Sequence, residues 1–61
     1  MEEERVLSII NESFGQMYTA IKASKAIDYG DDYYSVLIRI GSEEFEHVFL
    51  VQDGSAYPIP G

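Results

Sequence analysis

The spacing of apolar positions changes partway along the chain. From Glu2 to Ile27 it is helical. At 100° per residue, Val6, Leu7, Ile10, Phe14, Met17, Tyr18 and Ile21 fall in one stripe about 120° wide, as a core-facing helix requires. The spacing predicts one amphipathic helix over residues 2–27. Glu2, Glu3 and Glu4 begin it, where the helix dipole favours negative charge, and Lys22 and Lys25 lie in its last turns, where positive charge is favoured. Gly30 follows as a stop. Gly15 falls on the polar side of this helix and costs about 1 kcal/mol relative to alanine, a tolerated weakness. Ile9, Ala20 and Ile27 lie together on one flank and widen the apolar surface to cover the edge of a sheet or touch a partner.

From Tyr33 the period drops to two. Tyr34, Val36, Ile38 and Ile40 face one way; Tyr33, Ser35, Leu37 and Arg39 face the other. Strands are expected over 33–40 and 45–52, joined by the polar turn Gly41-Ser42-Glu43-Glu44. Pairing Ile40 with Phe45 sets Ile38 against His47, Val36 against Phe49 and Tyr34 against Val51. On the other face it sets Arg39 against Glu46 and Leu37 against Val48, so both faces make chemical sense. Asp53-Gly54 marks a two-residue hairpin. It pairs Gln52 with Ser55, Val51 with Ala56, Leu50 with Tyr57 and Val48 with Ile59. Pro58 and Pro60 make the last strand, 55–59, a short edge that resists further strand addition. The expected fold is α+β: one N-terminal amphipathic helix on one face of a three-stranded antiparallel β-meander, a single domain over residues 1–61.

Both faces of this meander carry apolar side chains, yet one helix covers only one. The covered face takes Val36, Ile38, Ile40, Phe45, Phe49 and Val51. The open face then carries Tyr33, Leu37, Val48, Leu50, Tyr57 and Ile59, a patch on the order of several hundred Å2, of the kind that marks an interface. The expected partner is another protein chain, in the simplest case a second copy packed sheet to sheet as a homodimer. The plainer alternative is a partly apolar outer face with no partner, which small domains tolerate.

Charge narrows the partners. Eleven acidic residues against four basic ones give a net charge of −7. Direct nucleic-acid binding and anionic membrane surfaces both need basic groups, so neither is expected. A basic protein is a suitable partner. No cysteine is present, which rules out disulfides and thiolate metal sites and suits a reducing compartment. The acidic start is unlike a secretory signal, and no apolar run approaches membrane-spanning length. The reading is of a cytoplasmic protein and, with Met1 first, of a complete small gene product.

Chemistry-bearing motifs are sparse. His47 is the sole histidine; no base–nucleophile pair assembles around it, and a packed histidine with one hydrogen bond explains it best. Asp28, Asp31 and Asp32 cluster in DYGDD, but the spacing is not that of a calcium loop, and turn-forming aspartates account for it. Glycine-rich phosphate loops and basic–aromatic interleaving are absent. No catalytic residue, metal site or cofactor is expected, and the chain is read as a non-enzymatic protein. Two further acidic groups, Glu43/Glu44/Glu46 at the hairpin tip and Glu2/Glu3/Glu4/Glu12 along the helix, are either solvated surface or, taken with the aspartates, a spread of carboxylates imitating the phosphates of a duplex. In size, charge and lack of catalytic equipment the chain resembles the small acidic inhibitors of phages and mobile elements. That likeness implies an alternative function: a nucleic-acid-mimicking inhibitor seated in the basic groove of a nucleic-acid-binding enzyme.

Overall fold

A computed structural model describes residues 2–60 of the protein. The order of elements is α1 (Glu2–Phe14), β1 (Thr19–Lys25), β2 (Tyr33–Ile40), β3 (Glu43–Gln52) and β4 (Ser55–Pro58). The strands form one antiparallel sheet in the order β1-β2-β3-β4, so each strand pairs with its neighbour in sequence. The α+β class and the N-terminal helix agree with the sequence pattern. The sheet has four strands where three were expected, because the second half of the expected helix is a strand.

The helix ends where Gly15 stands. The Gly15 N–H donates to the Asn11 carbonyl at 2.9 Å, and a Cβ at position 15 would run into that same carbonyl oxygen. The Met17 and Tyr18 amides both donate back to Phe14, at 2.8 and 3.1 Å, and this tight reversal launches β1. The rings of Phe14 and Tyr18 stack at 5.7 Å, and both lie against Phe49, at 6.2 and 6.4 Å, so an aromatic cluster holds the corner. Lys22 and Lys25 therefore belong to β1 and not to a helix end. Gly30 lies in the β1–β2 loop, and Ile27 is 79% exposed just beyond β1.

In β1 the pairing shifts between Ala20, opposite Ile38, and Lys22, opposite Leu37. This bulge places Ala20 and Ala23, three residues apart, both on the buried face. Their small side chains let α1 lie close against the strand, and α1 also runs beside β4, so the sheet curls around the helix. The core consists of Val6 and Ile10 from the helix against Ala20, Ala23, Tyr34, Val36, Ile38, Phe49, Val51 and Ala56, with Leu7 and Ile9 at its margin.

The β2–β3 register differs from expectation by two residues. Ile38 pairs with Phe45, Val36 with His47 and Tyr34 with Phe49; Leu37 faces Glu46, and Ser35 faces Val48. The connection is the two-residue turn Gly41-Ser42, with Gly41 at φ 62°, the signature of a turn with glycine first. A two-residue slip keeps every side chain on its face, so the faces stand while the partners change. Arg39 consequently pairs with Glu44, not Glu46, giving Nε and Nη2 to one carboxylate oxygen at 3.2 and 3.0 Å. The β3–β4 register is as expected, with Asp53 and Gly54 at φ 53° and 76° in the turn. The Ile59 amide continues that ladder to the Val48 carbonyl at 2.9 Å.

Candidate functional site

The outer face of the sheet, away from α1, can be built row by row from the ladder. One transverse row is Tyr33–Leu50–Tyr57, and the next is Ser24–Ser35–Val48, with Ile59 beside Val48. Beyond these come Lys22–Leu37–Glu46 and then Thr19–Arg39–Glu44. Tyr33, Leu37, Val48, Leu50 and Ile59 are half-buried and Tyr57 is 52% exposed, so their own chain encloses the first five only in part. The six share one face. They cluster toward the β4 end, while Ser35 and Glu46 separate Leu37 from a direct apolar neighbour across the strands.

Sequence reasoning missed Tyr29. From the β1–β2 loop it brings its ring to 6.0 Å from Tyr33. With Ser35, Val48, Ile59 and Pro60 it lines an open cleft of about 300 Å3 on this face. The signal available was YGDDYY itself: a loop tyrosine four residues before a strand tyrosine.

A second apolar surface lies at the hairpin tip on the helix side. The 13 residues of α1 span about 20 Å at 1.5 Å per residue, whereas the ten residues of β3 span about 33 Å. The helix is too short to reach Ile40 and Phe45, expected to be core. They are 47% and 42% exposed, and Met17 nearby is 68% exposed. With Phe14, Tyr18 and Pro58 they line an apolar cleft of about 320 Å3.

His47 lies on the helix face, opposite Val36 and not Ile38. Its Nε2–H donates to the Ile59 carbonyl at 2.8 Å, and its ring meets Phe49 edge-on at 5.6 Å. That single bond ties β3 to the end of the chain past β4, a packing role.

Several acidic residues have structural work. Glu2 accepts from Arg5 at 2.7 Å and from the Tyr34 hydroxyl at 2.8 Å, and these bonds, Arg5 first, hold its carboxyl below the ordinary value. Burial, then the bond to Glu2, pushes the Tyr34 phenol up. Glu3 accepts from the Ala23 amide at 3.1 Å. Asp32 accepts from the Gln52 side chain at 3.1 Å and, through its carbonyl, from the Val51 amide at 2.9 Å. Asp31 receives the Lys25 ammonium on its carbonyl, and that ammonium also sits over the Tyr34 ring at 5.3 Å. Among the described residues no trio of acidic or histidine side chains is placed to hold a metal ion, and no helix is long and apolar enough to cross a membrane. Glu12, Asp28, Glu43 and Glu46 are exposed, with no base of the chain in ion-pair range among the described residues. Three of the four bases (Arg5, Lys25 and Arg39) are engaged within the chain, and Lys22 on the outer face has no carboxylate in ion-pair range among the described residues.

No family model matches the chain, and no significant match to a curated protein or a solved structure was found.

Proposed function

We propose that the protein is a non-enzymatic binding module that acts by stoichiometric association, and that its outer sheet face joins it to a second copy of itself. The observation that carries this is the row Lys22–Leu37–Glu46: a cation, an apolar residue and an anion side by side across three strands. A twofold axis along β2, between two such faces, exchanges the β1 side of one protomer with the β3 side of the other. Each Lys22 then lies over Glu46 of its mate, and Leu37 meets Leu37. The face is self-complementary in charge, as a symmetric interface requires. Under this axis Tyr33 meets Tyr33 of the mate, Val48 lies over the mate's Ser24 and Leu50 over the end of its β1, while Tyr57 of β4 and Ile59 just after it reach past that strand. Leu37, Tyr33, Val48 and Leu50 thus supply the water-excluded area. Aligned sheets pack about 10 Å apart, within reach of these side chains. The cysteine-free composition suits a reducing compartment, and the cytoplasm is the proposed setting.

Light scattering coupled to size exclusion tests the reading. At high micromolar concentration the protein should run at twice its 6.9 kDa, and Leu50→Asp should return it to the single mass. A wild-type protein that stays at 6.9 kDa contradicts the dimer.

A second reading is favoured by the charge arrangement. With Arg5 and Arg39 held in ion pairs within the chain, the exposed Glu12, Asp28, Glu43 and Glu46 leave a strongly negative surface, suited to the basic groove of a nucleic-acid-binding enzyme. The two readings separate on salt. A charge-led complex weakens steeply as ionic strength rises, while apolar docking changes little. They also separate on mutation: Glu43→Lys with Glu44→Lys weakens only the charge-led complex.

A further inference from the structure

We propose that the free edge of β3 at Glu44–Glu46 is a binding site for an extended segment of another protein in which apolar and basic residues alternate. The site lies along the strand edge and shares only its carboxylates, Glu44 and Glu46, with the outer face. β3 has ten residues but β4 pairs only with its C-terminal part, Phe49–Gln52, and the last bond on that side is Ile59 to Val48. No strand of the described residues runs beside Glu43–His47 there.

The ladder fixes which groups are open. Val51 donates to Asp32 across β2, so the odd-numbered residues of β3 bond toward β2; Val48 bonds toward the β4 side, so the even-numbered ones point there. The N–H and C=O groups of Glu44 and Glu46 therefore point away from β2, where no described strand pairs with them, a template for one more strand.

The two faces flanking that edge specify the occupant. On the helix side are Phe45 and the apolar cleft of about 320 Å3 with Phe14, Met17 and Pro58. On the outer side are the Glu46 carboxylate and the Glu44 carboxylate, of which Arg39 engages one oxygen and leaves the second for an incoming base. A strand laid on this edge sends alternate side chains to each: apolar ones into the cleft, basic ones beside the carboxylates. Self-pairing is disfavoured. Antiparallel registers centred on Glu44, Phe45 or Glu46 each put a carboxylate directly opposite a carboxylate. The opposite edge of the sheet is capped in part, since the Asn11 side chain occupies the Ala20 N–H and C=O and the Glu3 side chain the Ala23 N–H. Glu46 offers two acceptor oxygens, so a base on the incoming strand and Lys22 of a mate do not exclude one another.

The test uses the whole chain carrying Leu50→Asp, which removes the outer-face association, so that failure here and failure of the dimer are read separately. The probe is a short capped peptide of alternating lysine and valine, compared with the same residues in blocks and with an alternating glutamate–valine peptide. Amide exchange followed by NMR should slow about tenfold or more at Glu44 and Glu46 with the alternating lysine peptide only. Glu46→Pro removes an edge donor without touching the β2 ladder, and should weaken binding about tenfold while the Phe45 and His47 amides stay protected. Glu44→Lys with Glu46→Lys leaves the backbone intact and should transfer preference to the glutamate–valine peptide, so the site remains testable if the proline variant does not fold. Equal binding of the block peptide, or protection of Glu44 and Glu46 that rises with protein concentration and no peptide, overturns the proposal.

Discussion

The Asn11 carboxamide stands in for a neighbouring strand at Ala20. Its Oδ1 accepts the Ala20 N–H at 2.8 Å and its Nδ2 donates to the Ala20 carbonyl at 3.2 Å. The helix thus satisfies β1 beside the bulge and caps that part of the sheet's edge. Asn11→Ala leaves both backbone groups without a partner in a partly buried place. A loss of about 1–3 kcal/mol is expected, measured by urea unfolding, together with a new tendency to associate through β1.

The Glu2–Tyr34 bond ties the first turn of α1 to β2 and makes stability pH-dependent at both extremes. The Glu2 carboxyl is lowered by Arg5 and then Tyr34, so its contribution is present above the ordinary value of 4.5 and lost as pH falls through the lowered one. The Tyr34 phenol is raised by burial and then by Glu2, so its contribution is complete below the ordinary value of 10.0 and lost as pH rises through the raised one. Glu2→Gln should flatten the acid limb of a melting-temperature profile. Tyr34→Phe should flatten much of the alkaline limb, with Tyr18, also raised by burial, keeping the remainder.

Gly54 is held at φ 76° in the β3–β4 turn. Gly54→Ala places a Cβ in the left-handed region, at an expected cost of about 1 kcal/mol. Because the space around it is open, the cost is conformational alone, and Gly54→Asn should recover part of it in the same melting experiment.

The proposed dimer makes a reciprocal charge prediction. Lys22→Glu alone sets acid over acid and should weaken association, as should Glu46→Lys alone. The two together exchange the partners across the twofold axis and should restore most of it. Sedimentation equilibrium of the four proteins checks this. Exposed ion pairs contribute about 0.2–1 kcal/mol each, so losing two symmetric pairs shifts the dimer constant by up to about thirtyfold, and the repulsion set in their place by a single reversal adds to that shift.

Much of the fold is legible in the residues, and the misreadings have physical causes. Val6 and Ile10 give the helix its buried face, and Asp53-Gly54 fixes the last hairpin with its register. The alternation after Tyr33 sorts the faces correctly, including all six outer-face residues. The strand at Thr19–Lys25 was hidden by its bulge: Ala20 and Ala23 share a face three residues apart, which mimics a helical repeat. Gly15, followed by Met17-Tyr18-Thr19, was the available sign of a helix end. The β2–β3 slip was invisible because a shift of two preserves every facing, and only the short Gly41-Ser42 turn distinguishes the registers. The cleft around Phe45 follows from the length of α1, which the same bulge obscured.

Intermolecular NOEs in a sample mixing labelled and unlabelled protein test the outer-face dimer most directly. Methyl signals of Leu37, Val48 and Leu50 should show cross-peaks to the second protomer, with Leu37 meeting Leu37. Cross-peaks from Ile40 and Phe45 in their place, or none at a concentration where the mass is still 6.9 kDa, would contradict it.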